Sequence, residues 1–227
     1  GCGNTAACIH STLRRIIFYA AIIIMNLFAL YLTGCRAAWP TFVIAIPVMF
    51  LLTRHRKSFA FSAGLVGCGA AAVLLDPSLL PRSGFLDSFI VRGRIWRTAL
   101  QAIRDHLWFG GGPQCYQIFY KQYDGRKAAH AHSVYLDPLL SYGIVGCVLL
   151  LLYFWPNIRE IARLYTRRYD VPLFALIVCF VLAVLVHGVL DHTINWIQTG
   201  MLFLMVFSAS AIYVNNGGQR ETNGNID

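Results

Sequence analysis

Charge is scarce in this chain. Only 13% of its 227 residues are Asp, Glu, Lys or Arg, against 57% hydrophobic, and the mean hydropathy is +0.58. So little charge excludes a soluble domain and leaves an integral membrane protein. Cysteine pairing is missing too. The seven cysteines (Cys2, Cys8, Cys35, Cys68, Cys115, Cys147 and Cys179) are odd in number and scattered, and no two form C-x-x-C, which excludes a disulfide framework and a C-x-x-C zinc site. There is no internal repeat, and no low-complexity tract beyond an Asn/Gly-rich end. An initiating Met and a signal-peptide pattern are both absent, and Gly1-Cys2-Gly3-Asn4 stands shortly before a long apolar run, so the chain reads as the C-terminal part of a longer protein.

What is present is a series of apolar runs near the length that crosses a bilayer, about 20 residues. Six qualify, at 16–32, 38–52, 59–75, 139–155, 171–190 and 197–214. The second is the shortest and carries Pro40. The expected fold is therefore all-α, with about six transmembrane helices and one large, partly helical extracytoplasmic loop. It divides into three spans in 1–75, the loop in 76–138, three spans in 139–214, and a disordered cytoplasmic tail in 215–227. Arg14 and Arg15, then Arg54, Arg56 and Lys57, then Arg159, Arg163, Arg167 and Arg168 fall in the other connections and go to the cytoplasm. That places the 76–138 loop outside.

The loop is basic for its side. Arg82, Arg92, Arg94, Arg97, Arg104, Lys121, Arg126 and Lys127 face only Asp76, Asp87, Asp105, Asp124 and Asp137. A long loop translocates whatever its charge, but an excess of arginine also suits an anionic ligand, phosphate first. Trp96, Ala99, Leu100, Ile103 and Leu107 recur at helical spacing opposite Arg94, Arg97, Gln101 and Arg104, which predicts an amphipathic helix. Its basic stripe reads either as a solvated face meeting lipid headgroups or as a substrate surface. The run Gly110-Gly111-Gly112 ends it, and Pro113 begins a second helix through Tyr123.

Near the loop's end the chain reads His130-Ala131-His132-Ser133. As a metal pair, H-x-H lacks a third ligand at supporting spacing; Asp137 and His106 qualify only by proximity, and no metal site is expected. Structural histidines are a second reading. A third is chemical, because His132 and Ser133 sit where a helix is expected to start and run, kinked at Pro138, into the fourth span. A helix N-terminus disfavours imidazolium and keeps the ring able to accept a proton. Asp191 and His192, with His187 one turn earlier, stand at the same end of the fifth span and either orient a ligand or form a polar cluster.

Four elements in order carry a family resemblance: Arg94-Ile95-Trp96 with Ala99-Leu100, then Trp108-Phe109-Gly110-Gly111-Gly112, then His132-Ser133, then nine residues and Gly143-x-x-Gly146. They resemble the bacterial O-antigen ligase and polymerase superfamily. Leu32-Thr33-Gly34-Cys35-Arg36-Ala37-Ala38-Trp39 resembles that family's Ser-Arg-small-aromatic element, with Cys35 where Ser is usual. The resemblance covers 32–152 strongly.

It implies a multi-pass glycosyltransferase of the bacterial inner membrane, working on its periplasmic face in lipopolysaccharide biosynthesis. The donor would be a glycan on a polyprenyl (undecaprenyl) pyrophosphate. In the ligase branch the acceptor is the lipid A–core; in the polymerase branch it is a growing glycan. Neither metal nor nucleotide cofactor is implied, and the partners are membrane lipids and these substrates, with no nucleic acid. By position, Arg36 and Arg94 would contact pyrophosphate and His132 would be the essential histidine; Arg92, Arg97, His130 and Asp191 complete the expected substrate contacts. Physical chemistry supports those roles, since leaving-group charge suits arginine and an attacking hydroxyl suits a neutral imidazole. Arg36 is equally accounted for as a snorkelling arginine at a span's edge. Two rival classes are a lipid-linked-glycan transporter, which should show paired broken helices in corresponding halves, and a non-enzymatic assembly subunit, which would not need His132.

Overall fold

The computed structural model describes residues 5–35, 37–76, 85–168 and 170–223, and the side chains of 13–35, 37–76, 89–168 and 170–211. Arg36 and Arg82 therefore lie outside the described residues. Among the described residues, α-helices follow in order: α1 (Thr5–Thr33), α2 (Ala38–Leu52), α3 (Arg56–Leu75), α4 (Phe85–Asp105), α5 (Tyr116–Gln122), α6 (Leu136–Thr166), α7 (Val171–His187) and α8 (Ile197–Asn223), with a 3-10 turn at Thr193–Asn195. No strand occurs among the described residues. Leu13–Thr33, Arg56–Leu75 and Leu136–Thr166 are long and apolar enough to cross a membrane, while Ala38–Leu52, Val171–His187 and Ile197–Ala211 are apolar but shorter. At 1.5 Å per residue, the 15 residues of α2 reach only about 23 Å, less than a hydrocarbon core of about 30 Å. Helical backbone continues to Asn223, where the sequence reading ended order at 214.

Two cores divide the labour. In one, α6, α7 and α8 close around Ile161, Leu164, Ile177 and Phe207, while α2 lies on α7 with the Cys179 thiol donating to the Ala45 carbonyl. The N-terminus of α7 is capped by Asp170, whose carboxylate accepts from the Leu173 N–H at 2.9 Å. The other core belongs to the polar segment. Ile95, Ala99, Ala102 and Ile103 of α4 meet Tyr116 and Phe119 of α5 and Leu140 of α6. The alanines are fully buried and let α4 approach closely. Leu100, expected on that face, is 47% exposed, and Leu107, expected there too, lies past the end of α4. The buried stripe is thus turned toward Thr98 and Ala102. Pro113 sits in the turn, and α5 starts three residues later than its presence suggested.

α6 is broken at Gly143, whose backbone has φ +63° and ψ −169°. It is not kinked at Pro138, which falls in the first turn, where a missing N–H leaves no bond unmade. A break in a buried helix strands carbonyls on one side and N–H groups on the other. Here the 107–112 turn fills both roles. Leu107 and Trp108 carbonyls accept from Ile144 and Val145 at 2.9 and 3.1 Å, while Gly111 and Gly112 donate to the Leu140 and Ser141 carbonyls, each at 2.9 Å. Backbone lies against backbone, so a Cβ on Gly143 would fall on the Trp108 carbonyl and one on Gly110 would fall on Ser141.

Gly143→Ala should therefore cost about 2 kcal/mol or more, from the steric overlap and from a backbone region that is almost only glycine's. Gly93→Ala, which meets nothing and lies in a helix, should be neutral or slightly stabilising. Thermal unfolding in detergent measures both; equal behaviour of the two variants would mean that the stitched break does not hold the fold.

Candidate functional site

The 130–135 stretch bridges the stitched region to the C-terminal end of α7. Helix C-termini carry unsatisfied carbonyls, and three near this end receive donors from elsewhere: the Val134 N–H on Gly188 at 2.8 Å, the Tyr135 hydroxyl on Leu185 at 3.0 Å, and Arg92 Nε on Leu190 at 2.7 Å. A guanidinium at the negative end of a helix is also favoured by the dipole. Gly188 permits the approach, since a Cβ there would strike the Val134 side chain.

This docking sets His132 against Asp191. His132 takes a left-handed backbone, φ +50°, uncommon for a residue with a side chain. Its Nδ1 lies 3.1 Å from Asp191 Oδ1. An ionised carboxylate only accepts, so Nδ1 carries the proton, and in the neutral ring the lone pair is on Nε2. Asp191 Oδ1 also accepts the His192 N–H at 2.8 Å. The hydrogen bond from His132, the largest influence, holds Asp191 down to about 2. His132 precedes α6 by four residues, so its ring faces a carboxylate and not a helix N-terminus. Ser133 Oγ accepts the Tyr135 and Leu136 N–H groups, at 3.3 and 3.4 Å, where the chain turns into α6.

Asp137 organises the other side. Buried in the first turn of α6, it accepts the Ala131 N–H at 2.7 Å and the Ser133 N–H at 3.4 Å. Its Oδ2 stands 3.5 Å from His130 Nδ1 and 3.0 Å from His192 Nδ1. The His192 contact is off the line of a good hydrogen bond. His130 Nδ1 also accepts the His132 N–H at 3.1 Å when its ring is neutral, and turns that nitrogen's proton to Asp137 when charged. The hydrogen bond to Asp137 raises the His130 pKa against the opposing effect of burial. The two H-x-H rings are 4.2 Å apart, one serving Asp137 and the other Asp191. His187 turns Nε2 toward Cys35 Sγ at 3.5 Å.

Among the described residues, donor atoms within 4.8 Å of one another occur in two sets, His130–His132–Asp191 and His130–Asp137–His192. Either could hold a divalent ion with an open position. The third donor that sequence spacing did not supply is thus present in space. Backbone N–H groups already occupy the Asp137 and Asp191 carboxylates of these sets.

Of the residues singled out from the sequence, His130, His132, Asp191 and Arg92 are brought together. Arg94 and Arg97 lie on the exposed face of α4 with Arg104, and His106 stacks on Phe119 with centroids 4.8 Å apart. Asp137 and His192 were missed as a linked pair; an acid in the first turn of a helix was the available signal. A family model described as O-antigen ligase matches residues 20–151, more than half of the chain. The chain belongs to the O-antigen ligase family. A search of curated proteins found no match. The O-antigen ligase match contains His130, His132 and Asp137 and ends inside α6, while Asp191 and His192 fall beyond it.

Because the His130 pKa is raised, its pairing with Asp137 stabilises the fold fully below the ring's ordinary 6.5 and fades as pH rises through the higher folded value. The gap in thermal stability between the protein and its His130→Gln variant should be widest near about pH 6 and shrink by about pH 9. A gap independent of pH would show that the charged pair contributes nothing.

Proposed function

We propose that this O-antigen ligase family member is a membrane glycosyltransferase moving a glycan from a polyprenyl pyrophosphate to the lipid A–core, without metal or nucleotide. The observation that carries the reading is the His132–Asp191 pair, a base oriented by a carboxylate at a junction of polar and apolar chain. In the step proposed, the acceptor oxygen attacks the anomeric carbon while its proton passes to His132 Nε2. The bond from that carbon to the pyrophosphate oxygen breaks, its electron pair leaves on the pyrophosphate, and the configuration inverts. Asp191 stays ionised and stabilises the imidazolium that forms. Arginines would hold the leaving charge. Arg92, fixed on Leu190 beside Asp191, is better placed for this than Arg94 on the exposed face, and Arg36 follows Cys35 in sequence. A polymerase, with a growing glycan as acceptor, is the second reading, since the family embraces the same donor chemistry.

The topology proposed with it has six spans in the bacterial inner membrane, with 76–138 in the periplasm and the Arg/Lys-rich connections inside. The break in α6 is mended by a turn of the polar segment.

Transfer measured with a purified polyprenyl-pyrophosphate donor, without ATP or metal, tests the chemistry. His132→Ala should lower the rate about 10²–10⁴-fold, the usual worth of a positioned base, and Asp191→Asn about 10–100-fold. In the same assay Arg92→Lys should lose much of the rate, because the fork is lost though the charge is kept, while Arg104→Lys should be silent. An unaffected His132→Ala would remove the mechanism. Topology is checked by single cysteines in a background without native ones. In spheroplasts, Gln122→Cys should react with an impermeant thiol reagent and Thr166→Cys should not; the reverse would put His132 in the cytoplasm. Gly125 does not suit this purpose, since a Cβ there would strike Thr98.

A further inference from the structure

His192 Nδ1 is a buried polar atom with no hydrogen-bond partner. It lies 3.0 Å from Asp137 Oδ2, but off the line of a good hydrogen bond. Buried polar groups are paired as a rule. This one has the geometry of a metal ligand, because the ligands of one ion converge on the ion and not on one another. Three segments bring donors to the same point: His130 from the chain before α6, Asp137 from the first turn of α6, and His192 from the chain beyond α7. Zinc bonds imidazole nitrogen at about 2.0–2.1 Å and carboxylate oxygen at about 2.0–2.2 Å, so tetrahedral ligand atoms stand about 3.3–3.5 Å apart. Asp137 Oδ2 is 3.0 Å from His192 Nδ1 and 3.5 Å from His130 Nδ1, and the three donors lie within 4.8 Å of one another. The His130 and His192 ring centroids are 6.1 Å apart at 78°, so the rings splay while their nitrogens converge.

The carboxylate is already aimed. The Ala131 N–H holds Oδ1 at 2.7 Å, while the Ser133 N–H reaches Oδ2 only at 3.4 Å, which leaves Oδ2 a lone pair for a ligand bond. Outer hydrogen bonds of this kind orient ligating carboxylates. In the other donor set the acid is spent, since Asp191 Oδ1 accepts both from His132 Nδ1 and from the His192 N–H. His130, Asp137 and His192 also line a cavity of about 520 Å³, so there is room for a fourth ligand. Among the described residues its lining holds no lysine or arginine, and an entering cation meets no like charge. Two imidazoles and one carboxylate suit zinc, whereas magnesium wants an octahedron of oxygens.

We propose that His130 Nδ1, His192 Nδ1 and Asp137 Oδ2 form a binding site for a zinc-class divalent ion, and that filling it slows transfer. With the ion on it, His130 Nδ1 no longer accepts the His132 N–H that now lies 3.1 Å away, and the turn presenting His132 loses that tie. The site stands on its own geometry, and the slowing rests on the transfer reading above.

The test uses the full chain in detergent without a polyhistidine tag, titrated with zinc against a chromogenic chelator. Zinc should fill a single tight site per chain, cobalt should take the same site with the visible bands of a tetrahedral ion, and magnesium should displace neither. His192→Gln and His130→Gln should each weaken zinc binding about 100-fold or more, since even an outer partner of a ligand is worth about 10–100-fold. His132→Ala, which removes the other donor set, and Cys35→Ser, which removes the thiol beside His187, should leave the affinity unchanged. In the transfer assay zinc should inhibit, with a midpoint that rises in His192→Gln in step with its Kd. Undiminished affinity in the two glutamine variants, shown to be folded by thermal unfolding, or a loss in His132→Ala or Cys35→Ser instead, would overturn the site. Full zinc occupancy with an unchanged transfer rate would overturn the slowing. A chain that binds zinc in this pattern and transfers nothing even when stripped of metal would sink the transfer reading and leave the metal site standing.

Discussion

Four backbone hydrogen bonds across the break in α6 are the interaction on which the rest depends. An interrupted helix is tolerated among apolar helices only where its freed N–H and carbonyl groups find partners. The 107–112 turn supplies both kinds at once. That requirement fixes where the end of α4 must lie, and the buried face of α4 then seats α5 and Leu140. With α4 and α6 held, the 130–135 stretch has one course across the end of α7, and the rings at 130 and 132 fall to opposite carboxylates.

Glycine's part in this is steric before it is conformational. At Gly143 both effects act, since the dihedrals are almost glycine-only and the Trp108 carbonyl occupies the space of a Cβ. At Gly188 the dihedrals are ordinary for a helix end, and the Val134 side chain and the Val184 carbonyl forbid a side chain. The Gly-x-x-Gly pattern of 143 and 146 is thus two separate requirements, because a Cβ at Gly146 would meet the Tyr142 side chain one turn back.

Much of the helical plan was legible because apolar runs have ends: 38–52 and the start of the run at 171 coincide with helices, and the run at 197 opens α8. The break was not. Pro138 is the evident breaker in the sequence, yet it is harmless in a first turn, and nothing in a 3.6-residue period announces that Gly143 will be met by another segment's carbonyl. Likewise the face of α4 was misjudged by a fraction of a turn, because Leu100 is apolar but Ala99 and Ala102 are small, and close packing chose the small residues. His130, His132 and Asp191 could be singled out by type and place. Their pairing could not, since the carboxylates that divide the two rings stand five residues beyond His132 in one case and fifty-nine in the other. Nor could the separation of Arg92 from Arg94, two residues apart and on different faces of one helix.

The docking of 130–135 on the end of α7 has a consequence for how the molecule comes into being. Chains are made from the N-terminus, and His132 is synthesised well before Asp191. Until α7 is in place, the imidazole has no carboxylate, the Arg92 side chain has no Leu190 carbonyl, and the Val134 N–H has no Gly188. A nascent chain holding everything up to the fourth apolar run therefore carries the histidine without its orientation. The constellation is switched on by the arrival of a later helix, so an unfinished chain presents no assembled centre to a reactive lipid-linked substrate.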